Sequence, residues 1–343
     1  MLVHGRTEPT GGHIRVGTID RAFYTHAMDS GRRSLLAAAA LLPLAPSAFG
    51  ERARAAQPRR PNSRAPLRIS LAQWSLHRTI RAGKLDHLDF ARAAKRDYGL
   101  DGVEYVNQFF AEKACDFAYL AEMKKRAEGE GVASLLIMID GEGPLASEDV
   151  AQRRAAIGNH FKWIAAAAYL GCHSVRLNAQ GSGSREQQLD AMADSLQELG
   201  DVANGYGLNV LVENHGGLSS DGAWLSGVMK KADHPRVGTL PDFGNFTIGP
   251  ASKEGGELQT YDRYRGVEEL IPYAKALSAK SHDFDAQGNE TATDFARMAQ
   301  IAQAAGYAGW VGVEYEGDRL SEPDGIRKTI ELVRRTFGVA AAK

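Results

Sequence analysis

Four segments decide the fold: Asn209-Val-Leu-Val-Glu213, Val237-Gly-Thr-Leu-Pro-Asp242, Leu277-Ser-Ala-Lys-Ser-His282 and Trp310-Val-Gly-Val-Glu314. Each is a short, largely apolar run that suits a buried strand, and each ends in a glutamate, an aspartate or a histidine. The carboxyl ends of the strands of a parallel barrel meet at one mouth. Four potential ligands in series at such ends therefore predict a metal site at that mouth.

Strand-like and helix-like segments alternate from Leu67 onward. Four further strands are predicted at residues 68–73, 102–105, 133–140 and 174–178. Helices are predicted at residues 85–98, 117–129, 149–169, 185–204, 222–232, 267–277, 292–305 and 324–336.

Several of the predicted helices are followed by glycine, the residue preferred at helix C-termini. These glycines are Gly99, Gly131, Gly171, Gly207 and Gly306. Eight strand–helix pairs predict an α/β fold, a closed (β/α)8 TIM barrel. The alternative is an open, doubly wound sheet.

Composition limits the function classes. The chain has 343 residues, of which 43% are hydrophobic, and its formal net charge is -1. A barrel of roughly 250 residues accounts for most of this length as one domain. Since there is neither a basic field nor a basic stripe interleaved with aromatic residues, nucleic acid is not expected as a partner. The oligomeric state is left open.

The N-terminal part has the pattern of an export signal. Arg32 and Arg33 precede an apolar run at residues 37–42, which predicts a twin-arginine signal and a periplasmic protein. An ordinary secretory signal or a basic tail is the alternative. The run is too short for the ~20 residues of a membrane span. We expect residues 1–50 to hold an upstream extension and the signal, with Met28 as the true start, residues 51–66 a linker, and residues 67–343 the barrel.

Two other features are less specific. Cys115 and Cys172 could form a disulfide in an oxidising compartment, but two buried free thiols are expected. The connection at residues 243–265 is long and rich in glycine, which suits a lid or a surface excursion.

The proposed ligands Glu213, Asp242, His282 and Glu314 supply three carboxylates and one imidazole. This oxygen-rich set suits one Mn²⁺ or Mg²⁺, with Co²⁺ or Zn²⁺ as alternatives. Because the set contains no thiolate, a structural zinc site is not expected. Each glutamate or aspartate could instead cap the next helix, and the histidine could instead be a hydrogen-bonded residue without a ligand role. Glu314 is preferred over Glu316 because it ends the apolar run.

Other strand ends carry candidates for substrate binding. Lys280 lies two residues before His282, so it should point into the barrel, toward an oxyanion or toward Glu213 or Glu104. Trp74 suits stacking on a sugar or packing in the core. The remaining candidates are His77, Glu104, Arg176, Asn178 and His215, with Gln73 and Asp140 beside them.

These motifs resemble the xylose isomerase-like TIM-barrel superfamily, in particular its sugar phosphate isomerase/epimerase group. The resemblance covers roughly residues 67–337. It implies one divalent ion held by Glu213, Asp242, His282 and Glu314, with Glu213 and Glu314 flanking the substrate carbon and moving its proton. The motifs are Gly102-Val-Glu104, Val212-Glu-Asn-His-Gly216, Asp242-Phe-Gly-Asn245, Lys280-Ser-His282 and Gly312-Val-Glu314.

The resemblance implies a metal-dependent isomerase or epimerase that removes a proton next to a sugar carbonyl. An exported protein rarely meets phosphorylated sugars, so a free sugar or keto-sugar is expected. A lyase or hydratase that cleaves 3-keto-glycosides by the same carbanion chemistry is the first alternative. A non-catalytic periplasmic carbohydrate-binding protein is the second.

Overall fold

The computed structural model describes residues 67–249 and 258–340. Its main element is a sheet of eight parallel strands in the order β7-β8-β1-β2-β3-β4-β5-β6. The strands are β1 Arg68–Ala72, β2 Gly102–Val106, β3 Ala133–Met138, β4 Ser174–Asn178, β5 Asn209–Glu213, β6 Val237–Leu240, β7 Leu277–Ser281 and β8 Trp310–Tyr315.

The sheet closes on itself. Between the β6 and β7 sides, isolated parallel bridges join Thr239 to Ala274 and Asp242 to Ser278. Chain order is kept all the way round, whereas a doubly wound sheet reverses it at a switch point. The prediction of a (β/α)8 barrel is therefore confirmed.

Helices cover the outside of the strands. A short helix, His77–Arg81, comes first in the described chain, and eight longer helices follow it. Seven of these eight begin at an Asp or Ser whose side chain accepts a backbone N–H of the first turn. The predicted C-terminal glycines all have positive φ. The helices are α1 Phe90–Tyr98, α2 Phe117–Gly129, α3 Val150–Leu170, α4 Arg185–Gly205, α5 Gly222–Ala232, α6 Arg263–Leu270, α7 Phe295–Ala304 and α8 Glu322–Phe337.

Two predicted helices have clearly wrong bounds. The helix predicted at 267–277 is α6, which starts at Arg263 and gives way to the 3-10 turn Ile271–Tyr273. Pro272 has no N–H to donate and its ring opposes a continuing α-helix, so the chain turns there. The helix predicted from residue 85 starts at Phe90, because a 3-10 turn capped by Asp86 precedes it.

The strands separate two apolar layers. Alternate residues of β3 show this, since Ile137 packs between sheet and helices while Leu136 and Met138 fill the barrel interior. The interior cluster is small and lies next to Trp74 and Phe109.

The remaining sequence predictions have mixed outcomes. Both cysteines are free; Cys172 is buried but Cys115 is exposed, so the expectation of two buried thiols is wrong for Cys115. Within 243–265, Thr247–Gly249 and Gln259–Thr260 form an antiparallel pair. The predicted signal, linker and start site lie outside the described residues. No helix in the described ranges has the length and apolarity needed to cross a membrane.

Gly312 of β8 is a packing constraint, and Gly312→Ala tests it. A methyl group there would lie 2.6 and 2.7 Å from the carboxylate oxygens of buried Glu104. We expect the variant to lose about 1–3 kcal/mol of unfolding free energy, measured by urea denaturation. Gly158→Ala is the control, since Gly158 lies in α3 with open space around it and should gain stability. Equal stability of Gly312→Ala and wild type would contradict this packing.

Candidate active site

Three carboxylates meet at the mouth of the barrel. Glu213 ends β5, Asp242 lies two residues after β6, and Glu314 lies in β8. One oxygen from each side chain lies within 4.8 Å of the others, and all three residues are buried. Inward-facing positions on neighbouring strand ends bring them together. The structure thus assembles three of the four ligands predicted from the sequence.

Asp242 is held most tightly. Its Oδ1 accepts the N–H groups of Gly244 and Asn245, each at 2.8 Å. Its Oδ2 accepts the Ser278 hydroxyl at 2.7 Å. The backbone of Asp242 is fixed as well, because Asn214 accepts its N–H at 2.7 Å and donates to its carbonyl at 2.9 Å. This network sets the position of the carboxylate before any ligand binds.

Ser278 is a residue that the sequence interpretation missed. Its Oγ lies 3.0 Å from Glu314 Oε2 as well as 2.7 Å from Asp242 Oδ2, so it sits between the two carboxylates. A hydroxyl has one proton and donates to one of them at a time. Counting back two residues from Lys280 along β7 would have placed Ser278 on the same inward face.

Two buried cations, Lys280 and Arg176, balance the negative charge of the carboxylates. Lys280 Nζ lies 3.1 Å from Glu314 Oε1 and 3.2 Å from Glu316 Oε1. The sequence suggested Glu213 or Glu104 as its partner, and that is wrong because Lys280 is in register with Glu314 on the neighbouring strand.

Arg176 pairs with carboxylates on the other side of the barrel mouth. Its Nε lies 2.6 Å from Glu213 Oε2, an ionic contact without the direction of a good hydrogen bond. Its Nη1 donates to Asp140 Oδ1 at 2.7 Å. Asn178 donates to the same Asp140 oxygen at 2.7 Å. Arg176 therefore joins a proposed ligand to a polar group of the cavity.

Burial controls the proton affinities of the site. Loss of hydration raises the pKa of Asp242 and of Glu213 to about 7, although Lys280 and Arg176 respectively oppose the shift. Burial would also raise the pKa of Asp140, but Arg176 and Asn178 reverse this and hold it at about 2. Burial, with Arg176 and Lys280, lowers the pKa of His215. At neutral pH the cavity thus contains ionised Asp140 and uncharged His215.

His282 is not brought to the three carboxylates. It follows the last residue of β7, and its side chain is 51% exposed with Nε2 3.7 Å from Glu316 Oε2. The nearby Glu316 carboxylate raises the pKa of His282. Its role as a metal ligand stays a prediction, which this placement does not support.

A cavity of about 470 Å³ opens beside the carboxylates. Five of the seven predicted substrate-binding residues line the cavity: Trp74, Arg176, Asn178, His215 and Lys280. Asp140 lines it as well. The sequence did not predict the lining residues Gln108, Gln180 and Asn245.

The other two predicted substrate-binding residues are set back from the cavity. The ring of His77 stacks on Trp74 with centroids 4.9 Å apart and supports that indole. Glu104 is fully buried and accepts the Ser70 hydroxyl at 2.6 Å. Gln73 is also structural, since its side chain accepts the N–H of Val106 at 3.0 Å.

The residues present suit a divalent ion. Three carboxylates from separate strand ends supply hard oxygen ligands, and the adjoining cavity leaves room for oxygens of water or substrate. This cluster of oxygen ligands supports the prediction of a metal-binding site.

Residues 91–336 match the family described as xylose isomerase-like TIM barrel. The chain belongs to this family. The resemblance inferred from the sequence motifs is thereby confirmed, and it extends over most of the barrel.

A sequence match to a known protein agrees with this family assignment. An inosose dehydratase of Geobacillus thermodenitrificans (strain NG80-2) is 25% identical over 171 residues, which are 45% of this chain and 56% of that protein. The match therefore spans a little over half of that relative's length.

Solved structures share the fold. D-psicose 3-epimerase, crystallised with D-fructose, matches with a TM-score of 0.58 at 14% identity, covering 79% of this chain and 100% of that one. 3-keto-D-glucoside 4-epimerase from E. coli gives 0.58 at 14%, covering 79% and 99%. The IOLI protein, with a zinc atom bound, gives 0.60 at 12%, covering 79% and 98%. The family and these relatives include epimerases and dehydratases, in agreement with the prediction of an enzyme.

Glu104→Gln tests the protonation state of the buried carboxyl below the site. Burial raises its pKa from 4.5 to about 8. As pH rises between these values, the unfolded chain releases a proton that the folded protein keeps, so the wild type loses stability. The amide has no such proton, and we expect the variant to be more stable at pH 8 by at least about 1 kcal/mol.

Urea denaturation at pH 5, 6.5 and 8, with divalent ions chelated, measures this effect. Glu331→Gln is the matched control, since Glu331 is exposed on α8. An identical pH dependence for wild type and Glu104→Gln would show that Glu104 is ionised in the folded protein.

Proposed function

We propose that this protein is a metal-dependent sugar isomerase or epimerase that removes a proton next to a carbonyl. The observation that carries this proposal is the cluster of Glu213, Asp242 and Glu314, buried and within 4.8 Å at the edge of a polar cavity. Buried carboxylates arranged in this way suit both ion binding and proton transfer.

In this proposal Glu213 and Glu314 exchange protons with the substrate. One carboxylate takes the proton from the carbon next to the carbonyl, and the bonding electron pair moves to the carbonyl oxygen. The other carboxyl, which starts protonated, gives its proton to the opposite face of the same carbon for epimerisation. In isomerisation a proton goes instead to the former carbonyl carbon, while the hydroxyl on the deprotonated carbon gives its proton to the former carbonyl oxygen and becomes the new carbonyl. A divalent ion held by the three carboxylates would polarise the carbonyl and stabilise the negative charge.

The rest of the cavity is suited to a polyhydroxylated substrate. Ionised Asp140 accepts hydrogen bonds from hydroxyl groups, and Asn178 and His215 offer further polar atoms. Trp74 presents an aromatic surface at the same cavity, which suits the apolar face of a sugar ring.

A non-phosphorylated sugar fits this cavity best. Among the described residues that line it, the lysine and arginine side chains are Lys280 and Arg176. Both are engaged with carboxylates, so neither is free to bind a phosphate dianion. We further propose Mn²⁺ as the native ion and twin-arginine export to the periplasm, supported by the oxygen-rich ligands and by Arg32-Arg33.

A lyase acting on a keto-glycoside or related keto-sugar is the second candidate. The sequence match to an inosose dehydratase favours it. After the same deprotonation, the electron pair expels a leaving group one carbon further along. Product analysis with a 3-keto-glycoside separates the two, because epimerisation keeps the glycosidic bond and elimination breaks it.

Glu213→Gln and Glu314→Gln test proton transfer. Each removes a base while keeping the size of the side chain, and we expect a loss of about 10²–10⁴-fold in the rate of solvent-deuterium incorporation into a keto-sugar. NMR or mass spectrometry measures the incorporation, and Glu331→Gln serves as control. Wild-type protein that exchanges no deuterium with any keto-sugar tested would instead favour the carbohydrate-binding hypothesis.

Asp242→Asn and His282→Ala test the metal set. We expect Asp242→Asn to lose most of its bound metal, because a neutral amide replaces a central carboxylate. His282→Ala should keep it, because the imidazole lies at Glu316. Elemental analysis after dialysis against limiting Mn²⁺ gives the stoichiometry. Equal metal loss in both variants would establish His282 as the fourth ligand that the sequence predicted.

A further inference from the structure

The ammonium of Lys280 lies beside the proposed ion site and contacts two of its three carboxylates. Its Nζ is 3.1 Å from Glu314 Oε1 and 3.9 Å from Asp242 Oδ2, and the side chain is 2% exposed. Two of the three carboxylates that would hold a divalent ion are therefore already paired with a cation of the protein itself. A divalent ion at the same oxygens would meet the repulsion of this neighbouring charge.

Ser278 leaves the site without a strong fourth ligand. Its hydroxyl lies between Asp242 Oδ2, at 2.7 Å, and Glu314 Oε2, at 3.0 Å. An uncharged hydroxyl adds no negative charge to offset Lys280. The divalent ion and the ammonium therefore depend on the same carboxylates for their neutralisation.

Glu316 offers Lys280 another partner. Its Oε1 lies 3.2 Å from Nζ, and its side chain is 25% exposed at the outer edge of the cluster. Glu316 is not one of the three clustered carboxylates. The ammonium can thus stay paired with Glu316 when Glu314 and Asp242 bind a divalent ion.

We propose that Lys280 is an internal counter-ion that competes with the divalent ion, and that Glu316 holds the ammonium when the ion binds. This inference rests on the proposed metal site. It predicts that the protein remains folded without metal, because Lys280 balances the buried carboxylates, and that the affinity for the ion is lower than three carboxylates would otherwise give.

Mn²⁺ titration calorimetry on the chelator-treated full chain tests the inference. Lys280→Met removes the competing charge and keeps the aliphatic stem, so Mn²⁺ should bind at least tenfold more tightly than to wild type. Glu316→Gln removes the alternative partner, so Mn²⁺ should bind several-fold more weakly. In the double variant the effect of Glu316→Gln should disappear, because no ammonium remains to be held. Lys125→Met, at a lysine 80% exposed, should match wild type.

Thermal unfolding gives a second readout. Without metal, Lys280→Met should melt below wild type, because its carboxylates repel one another, and Mn²⁺ should raise its melting temperature more than that of wild type. If Lys280→Met does not fold without metal, refolding it with Mn²⁺ should rescue it, and the Glu316→Gln titration still tests the competition. The inference would be overturned if Mn²⁺ did not restore folding of Lys280→Met and Glu316→Gln bound Mn²⁺ as tightly as wild type.

The outcomes separate this inference from the proposed function. Wild type that binds Mn²⁺ no more weakly than Lys280→Met overturns the competition and leaves the metal-dependent function standing. If neither protein binds Mn²⁺, Co²⁺, Mg²⁺ or Zn²⁺, both the competition and the metal-dependent function fail.

Discussion

The structure depends on keeping several carboxylates together in a place with little water. Glu213, Asp242 and Glu314 are buried at one end of the barrel, and their burial would be very costly without compensation. Arg176 and Lys280 supply that compensation from neighbouring strands. This charge balance keeps the mouth of the barrel polar, and a cavity of about 470 Å³ lies beside it.

The strand geometry explains how so many charges reach one place. Alternate residues of each strand face the barrel interior, where apolar side chains lie level with charged ones, since Leu136 is in register with Glu104 and Leu211 with Arg176. Below the site, Glu104 needs the space left by Gly312 on β8.

Much of the fold was predictable because it follows from local rules. The apolar runs and the C-terminal glycines placed eight strands and most of the helices. Failures occurred where tertiary context overrides local pattern, as at α6, where Pro272 stops the helix and the chain turns into β7. The exposure of Cys115 was also beyond reach, because burial depends on which helix faces meet.

The sequence by itself determined that a carboxylate or a histidine lies at the end of each of four successive strands, since strand periodicity and residue type are local properties. Only the tertiary structure decided which side chains meet. His282 follows the end of β7 and faces Glu316, whereas Ser278 and Lys280, earlier on the same strand, face the carboxylates. The register between β7 and β8 pairs Lys280 with Glu314. Such pairings depend on strand register and barrel closure, which bring together residues distant in the chain.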